Sequence, residues 1–488
     1  MNIPHLLRFR ADTVLSRQLF TDLQMDRILS EETIAVLQKP CSKDQILLRQ
    51  EVFGLLDNPV WQEKIKYLYT ALRDEERAMF LWREAEIPLE RYHLRASLFS
   101  SHIHVCTRLE ALAECGKLLS EVVGYFSSDE KRQLLMEMQN DYVLLTSLFE
   151  KMHRGLLSFS NKNWITPNYE AVCEYDNIAD CAAALGFSGP DRKEKNVRVD
   201  TSFSDAICRL YGEEVKEIER ILGKYDDAVF AETVAYIPEI RFFLEIHDLI
   251  QKSAEAGIPH CIPEIADSPQ FAAKDIYDIS LLAKNCENII PNDVNFTEAE
   301  PFFFLIGANG GGKTTYLRAV GINLLLFHAG CPIFAKKASV YPFAFTASHF
   351  PKDERFDNTG RLDEERKRTE EIFVSAQGKK AFLLFNETYS GTDDKRGFSL
   401  LMETAGQVRE SGHFGLYVTH FHEVMNTEYP ILSAEVDTTD ENKRTYRIVK
   451  MKGNASSYAA DILKKYRLDK ESLQKRRDEH VHSTAESV

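Results

Sequence analysis

Apolar side chains recur at helical spacing through the first half of the chain. Leu135, Met138, Tyr142, Leu145, Phe149 and Met152 form one series, and Tyr211, Val215, Ile218, Leu222 and Tyr225 another. Positions three and four apart share one face of a helix, so both series read as the buried stripes of amphipathic helices. The pattern predicts a mainly helical region over about the first 255 residues. Residues 158–200 interrupt it with Pro167, Gly189-Pro190 and a charged run over 191–195, which reads as a solvated loop. Pro259, Pro263 and Pro269 then mark residues 257–275 as a linker between a helical domain, 1–256, and a second domain, 276–467.

Beyond the linker the texture changes. Short apolar runs at 302–306, 343–348, 381–385 and 414–419 read as strands. Helical segments lie between them at 313–328, 361–377 and 394–410, and later strands are expected near 431–436 and 444–451, then a helix around 457–465. Strands alternating with helices predict an α/β domain built on a largely parallel sheet. Ligands of such sheets bind at the carboxyl ends of the strands. Residues 468–488 are a charged tail.

The first strand of this domain, Phe302 to Ile306, runs directly into Gly307, Ala308, Asn309, Gly310, Gly311, Gly312, Lys313, Thr314 and Thr315. The series fits G-x-x-x-x-G-K-[ST], with a strand before it and an apolar helix after it, as a phosphate-binding loop requires. Glycines let consecutive N–H groups turn inward on phosphate oxygens, and the helix N-terminus adds partial positive charge. Lys313 can reach the β- and γ-phosphates, and the Thr314 hydroxyl can ligate Mg²⁺. ATP with Mg²⁺ is the expected ligand.

Hydrolysis needs a held metal and a group that orients water. The apolar strand 381–385 ends in Asn386 and Glu387, the shape of a Walker B element. Glu387 is the expected water-orienting base. Asn386 stands where an Asp is usual; its amide oxygen can accept from a metal-bound water but brings no negative charge. The strand at 414–419 ends at His420, placed to sense a γ-phosphate, whereas His422 reads as structural.

Composition narrows the partners. With 44% hydrophobic and 28% charged residues the chain is an ordinary globular one, and no run approaches the ~18 apolar residues of a membrane span. Its first 20 residues carry Arg8, Arg10 and Arg17, which breaks the apolar core a signal peptide needs. Scattered cysteines without a C-x-x-C pair fit reduced thiols, and a cytoplasmic, membrane-free location is expected. A net charge of −15 disfavours generic binding to polyanions, so contact with DNA would need a local basic surface or an assembled dimer.

Taken together the motifs resemble the MutS family of DNA mismatch-repair ATPases. The resemblance rests on 307–318, on Asn386-Glu387 with Ser390-Gly391-Thr392, on Val418-Thr419-His420-Phe421-His422-Glu423 and on Pro291-Asn292-Asp293. Ser456-Ser457-Tyr458 and, in the helical half, Arg49-Gln50-Glu51-Val52-Phe53 are also similar. It is specific over about 285–465 and looser over 10–255. It implies an ABC-type P-loop ATPase domain at the C-terminus, preceded by a mainly α-helical core or lever domain with a reduced clamp-like segment near 158–200. It implies a homodimer through the ATPase domains, each completing the other's site with a segment that here falls on 358–365. It implies ATP-dependent binding of DNA, duplex or branched. The mismatch-reading and connector domains are not recognisable, so a short bacterial MutS-like type with slow turnover is expected. A nucleotide-dependent scaffold that barely hydrolyses ATP is the alternative. Leu-Ser-Gly-Gly-Gln of transporter subunits and long heptad coiled coils are absent from the sequence.

Overall fold

The computed structural model describes residues 4–7, 13–113, 117–156, 201–284, 289–351, 358–390, 393–436 and 444–451. The chain divides into two compact units, residues 1–8 with 51–245 and residues 9–50 with 246–488. Three sequence expectations lie outside the described residues: the clamp-like segment 158–200, the final helix around 457–465 and the tail 468–488.

The first unit is helical. α4 (Pro59–Glu84) and α5 (Pro88–Glu110) are joined by three residues, with Pro88 opening α5 where its missing N–H costs nothing. Against them pack α7 (Asp129–Leu156), α8 (Thr201–Leu210), α9 (Gly212–Leu222) and α10 (Asp227–Val234). Apart from Leu135, the expected stripes lie in this core. Met138, Leu145 and Met152 are buried at seven-residue intervals, Tyr142 and Phe149 pack beside them, and Tyr211, Val215, Ile218, Leu222 and Tyr225 join the same cluster. The core also takes charge inside. Glu75 is fully buried and bonds His102 Nδ1 at 2.7 Å, while Cys106 Sγ lies 3.6 Å from His102 Nε2. Burial disfavours a charged His102, but its bonds to Cys106 and Glu75 outweigh that and raise it to about 10.

The second unit contains two sheets. One has six strands in the order β10–β9–β4–β8–β7–β6, made from β4 (Phe302–Ile306), β6 (Phe345–His349), β7 (Ala381–Asn386), β8 (Phe414–Val418), β9 (Ile431–Val436) and β10 (Arg444–Lys450). Its pairings are parallel except the outer β9–β10 hairpin. Strands covered on both faces lose alternation and become continuous apolar runs, and β4, β6 and β8 are buried at every position. α12 (Lys313–His328) follows β4, with both flanks of its middle turns buried. α13 (Asn358–Ala376) and α14 (Asp394–Glu410) precede and follow β7.

The other sheet corrects the linker. Residues 257–275 contain β1 (Glu264–Ile265) and most of β2 (Phe271–Ile276), which pair with β5 (Lys337–Val340), while β2 also pairs with β3 (Asn292–Phe296). Pro263 and Pro269 flank these strands without entering them, so no ladder hydrogen bond is lost. Phe271 is fully buried and meets Phe382 of β7 at 6.2 Å between ring centres; Phe296 meets the same ring at 5.0 Å.

The domain division also differs from the expected boundary at 256. Residues 9–50 group with the C-terminal unit. The Cys41 N–H donates to His328 O at 2.8 Å, and the buried Arg49 guanidinium donates to Ala329 O at 2.9 Å. A Cβ on Gly321 would stand 2.7 Å from both Leu23 and Leu384, so glycine is what lets α1 (Arg17–Asp22) and its following turn close on α12.

Candidate functional site

The end of β4 and the start of α12 shape the loop at 307–312. Gly307, Gly310 and Gly312 have φ of 134°, 73° and 89°, a region that favours glycine. Space adds a second constraint at Gly307 and Gly311, where a Cβ would lie 2.8 Å and 3.1 Å from the Ala434 Cβ of β9. Gly312 is the N-cap of α12 and supplies no capping side chain. The first-turn N–H groups of that helix are thus left for an anion, in the field of the helix dipole.

Lys313 is 5% exposed and its Nζ turns back over the loop. It donates to Gly307 O at 2.8 Å and Ala308 O at 3.3 Å, with Asn309 Oδ1 at 3.5 Å and Glu387 Oε1 at 3.9 Å. Burial lowers its pKa, and the Glu387 carboxylate opposes that shift. A buried cation resting on neutral carbonyls gains strongly from a phosphate, which offers charge-assisted acceptors in their place.

The structure brings the start of α12 and the end of β7 together. Thr314 Oγ1 donates to Asn386 Oδ1 at 3.2 Å. Asn386 ends β7, and the next residue, Glu387, is half-buried with φ of 50°; its N–H donates to Val418 O at 2.8 Å on the neighbouring β8. Such a conformation in a residue with a side chain costs about 1–3 kcal/mol and persists only where the surroundings hold it. The fit to Mg²⁺ can be judged from donors: a hydroxyl, an amide oxygen and a nearby carboxylate are hard oxygen ligands of the kind it takes. Thr314 and Asn386 would hold the ion, with most of the countercharge coming from the triphosphate. No cluster of three His, Cys, Asp or Glu side chains is placed for a metal among the described residues.

Other expected residues are less engaged. Ala308 and Asn309 are exposed on the loop and Thr315 is half-buried behind it. His420 follows β8, is exposed, and lies tilted at 34° against Phe421 with ring centres 4.3 Å apart; among the described contacts no hydrogen bond or ion pair joins it to Lys313 or Glu387. His422 opens a 3-10 turn at His422–Asn426. Ser390 is exposed and Asp393 caps α14, while Gly391 and Thr392 lie outside the described residues. The expected partner-facing segment forms the first turns of α13, Asn358–Ala376.

Two features escaped the sequence. Tyr446, on β10 with φ of 56°, is 48% exposed and lines the loop, so that a Cβ on Gly312 would meet its ring at 3.4 Å. Asn292 sets that hairpin, donating to Tyr446 O at 3.0 Å and accepting from the Ile448 N–H at 2.6 Å. The β10 register shifts between Arg444 and Ile448, a bulge that no residue pattern announces.

A glycine-rich loop between an inner strand of a largely parallel sheet and a buried helix, with a second strand ending in Asn-Glu beside it, places this site in an α/β domain. The comparisons with known proteins narrow this. Residues 303–481 match the model of MutS domain V. The chain is 27% identical over 241 residues to the maize (Zea mays) DNA mismatch repair protein MSH2, covering 46% of this chain and 24% of that one. It is 32% identical over 146 residues to the Neurospora crassa DNA mismatch repair protein msh-2, covering 29% and 16%. With the Endonuclease MutS2 of Streptococcus suis it shares 26% over 235 residues, covering 46% and 29%. Residues 303–481, the C-terminal part of the chain, are thus similar to domain V of the MutS family. It spans less than a third of the length of each of these three relatives.

Proposed function

We propose that this chain is a MutS-family ATP-binding protein that hydrolyses ATP slowly and couples nucleotide state to DNA binding. The convergence of Lys313, Thr314, Asn386 and Glu387 at the carboxyl ends of β4 and β7 carries the reading. ATP enters with its phosphates on the N–H groups of 307–315 and on the Lys313 ammonium. Tyr446 offers an aromatic face beside the loop on which a base can rest. Mg²⁺, when bound, supplies charge neutralisation of the phosphates. Glu387 orients and deprotonates water, with Lys313 close enough to share its charge, and His420 reports on the γ-phosphate from the end of β8.

The names of the two DNA mismatch repair relatives point to DNA as the macromolecular partner. Two chains pair through their ATPase domains, ATP favouring the closed pair by its greater affinity for that state. Closure moves the helical unit and so alters the grip on duplex or branched DNA.

Asn386 supports a second reading, a scaffold that binds ATP and organises protein partners with little turnover. A steady-state ATPase assay with and without DNA separates the two. DNA-stimulated turnover that disappears in Glu387→Ala supports the ATPase. Turnover at background, unchanged by Glu387→Ala, supports the scaffold.

A further inference from the structure

Glu387 sits in a turn that its own sequence does not favour. Both it and Tyr389 have positive φ, 50° and 65°, where residues with side chains stay only if neighbouring groups fix them. The Glu387 N–H is fixed on Val418 O of β8. At the other end of the turn the Tyr389 N–H donates to Glu365 Oε2 at 2.6 Å. Glu365 is 6% exposed and lies in α13, far from the turn in sequence. A short bond to a buried carboxylate is among the stronger kinds.

The same helix grips Tyr389 a second time. The Tyr389 hydroxyl donates to Thr369 Oγ1 at 2.9 Å, one helical turn beyond Glu365, and Thr369 Oγ1 donates in turn to Glu365 O at 3.0 Å. His349, at the end of β6, lies 3.0 Å from Thr369 Oγ1 through Nδ1. Burial, with Arg368 adding to it, pushes His349 down to about 3, so the ring is neutral. With the Thr369 proton directed to Glu365 O, His349 is the donor and carries its proton on Nδ1. Tyr389 is thereby clamped at its amide and at its phenol by one element.

We propose that Glu365 is a positioning residue for Glu387. By holding the Tyr389 amide it keeps the left-handed turn and sets where the Glu387 carboxylate stands beside Lys313. A shift of α13 along its axis is transmitted to Glu387 through this bond. The role rests on the ATPase reading above, since it matters to chemistry only if Glu387 serves hydrolysis.

The test uses the full chain with Glu365→Ala, which removes the acceptor, and Glu365→Gln, which keeps an acceptor oxygen without the charge. Turnover is resolved into kcat and KM, Mg-ATP affinity is measured directly, and amide hydrogen exchange is followed over 386–390. Glu365→Ala is expected to lower kcat by about 10- to 100-fold, the scale of a misplaced catalytic group, with nucleotide affinity little changed and protection of the Tyr389 amide lost. Glu365→Gln is expected to restore most of kcat and the protection. A full kcat in Glu365→Ala, equal losses in both variants, or a loss confined to nucleotide affinity overturns the proposal. If the unaltered chain shows no turnover above Lys313→Ala, the ATPase reading fails by itself, and the exchange data still decide the anchor: unchanged protection in Glu365→Ala rejects it. Should Glu365→Ala not fold, Glu365→Asp keeps the charge but withdraws the oxygen by one methylene, and the same loss of protection and kcat is expected.

Discussion

The Thr314 hydroxyl donates to the Asn386 amide oxygen across 3.2 Å, joining residues 72 positions apart in the chain. Two motifs recognised separately in the sequence thus adjoin, and the proposed metal site has no charge at position 386. Replacing Asn386 with Asp restores a carboxylate beside the Thr314 hydroxyl. Asn386→Asp is expected to raise ATP turnover and lower the Mg²⁺ concentration for half-maximal activity. A magnesium titration of both proteins checks this; identical curves would place Asn386 outside the metal's surroundings.

The loop glycines are not equivalent. Gly307→Ala meets Ala434 Cβ at 2.8 Å in addition to its positive φ, whereas a Cβ at Gly310 touches nothing within 4 Å. Gly310→Ala carries only the backbone term, about 1–2 kcal/mol. Nucleotide titrations should therefore show Gly307→Ala losing binding almost completely and Gly310→Ala weakening it by roughly tenfold, the equivalent of about 1.4 kcal/mol. Equal effects would mean the packing of β9 against the loop is unimportant.

How much of this was legible in the residues depends on whether a feature is local. β4, β7 and α12 fall on the expected positions, to within a residue, because each is a continuous apolar run or a motif with fixed spacing. The four-stranded sheet was missed because prolines flank β2, and its edges read as a linker. Placement of 9–50 with the C-terminal unit depends on single long-range bonds, such as Arg49 to Ala329 O, which leave no periodic trace. The Glu365–Tyr389 bond was hidden for a related reason: one acidic residue in an acidic helix looks solvated until the fold buries it.

The helical unit makes a pH prediction. His102 titrates at about 10 in the fold, above the ordinary histidine value of 6.5. A raised value means the folded state binds its proton more tightly, so the contribution is complete below about pH 6.5 and lost as pH rises through about 10. Trp61 and Trp82 stand on α4 of this unit, so their fluorescence follows its unfolding by urea. Between pH 6.5 and 9 the unaltered chain should lose on the order of 1–3 kcal/mol more than His102→Gln does. Parallel pH profiles for the two proteins would show that the Glu75–His102 pair carries no net proton into the core.

Everything chemical in this account depends on the Lys313 ammonium meeting a triphosphate. Calorimetric titration of the full chain with Mg-ATP, alongside Lys313→Ala, tests that most directly. One nucleotide per chain is expected, with affinity reduced in Lys313→Ala by about 10- to 100-fold, as loss of a charge-assisted bond of ~1.5–3 kcal/mol implies. Equal affinities in the two proteins, or no heat of binding in either, would contradict it.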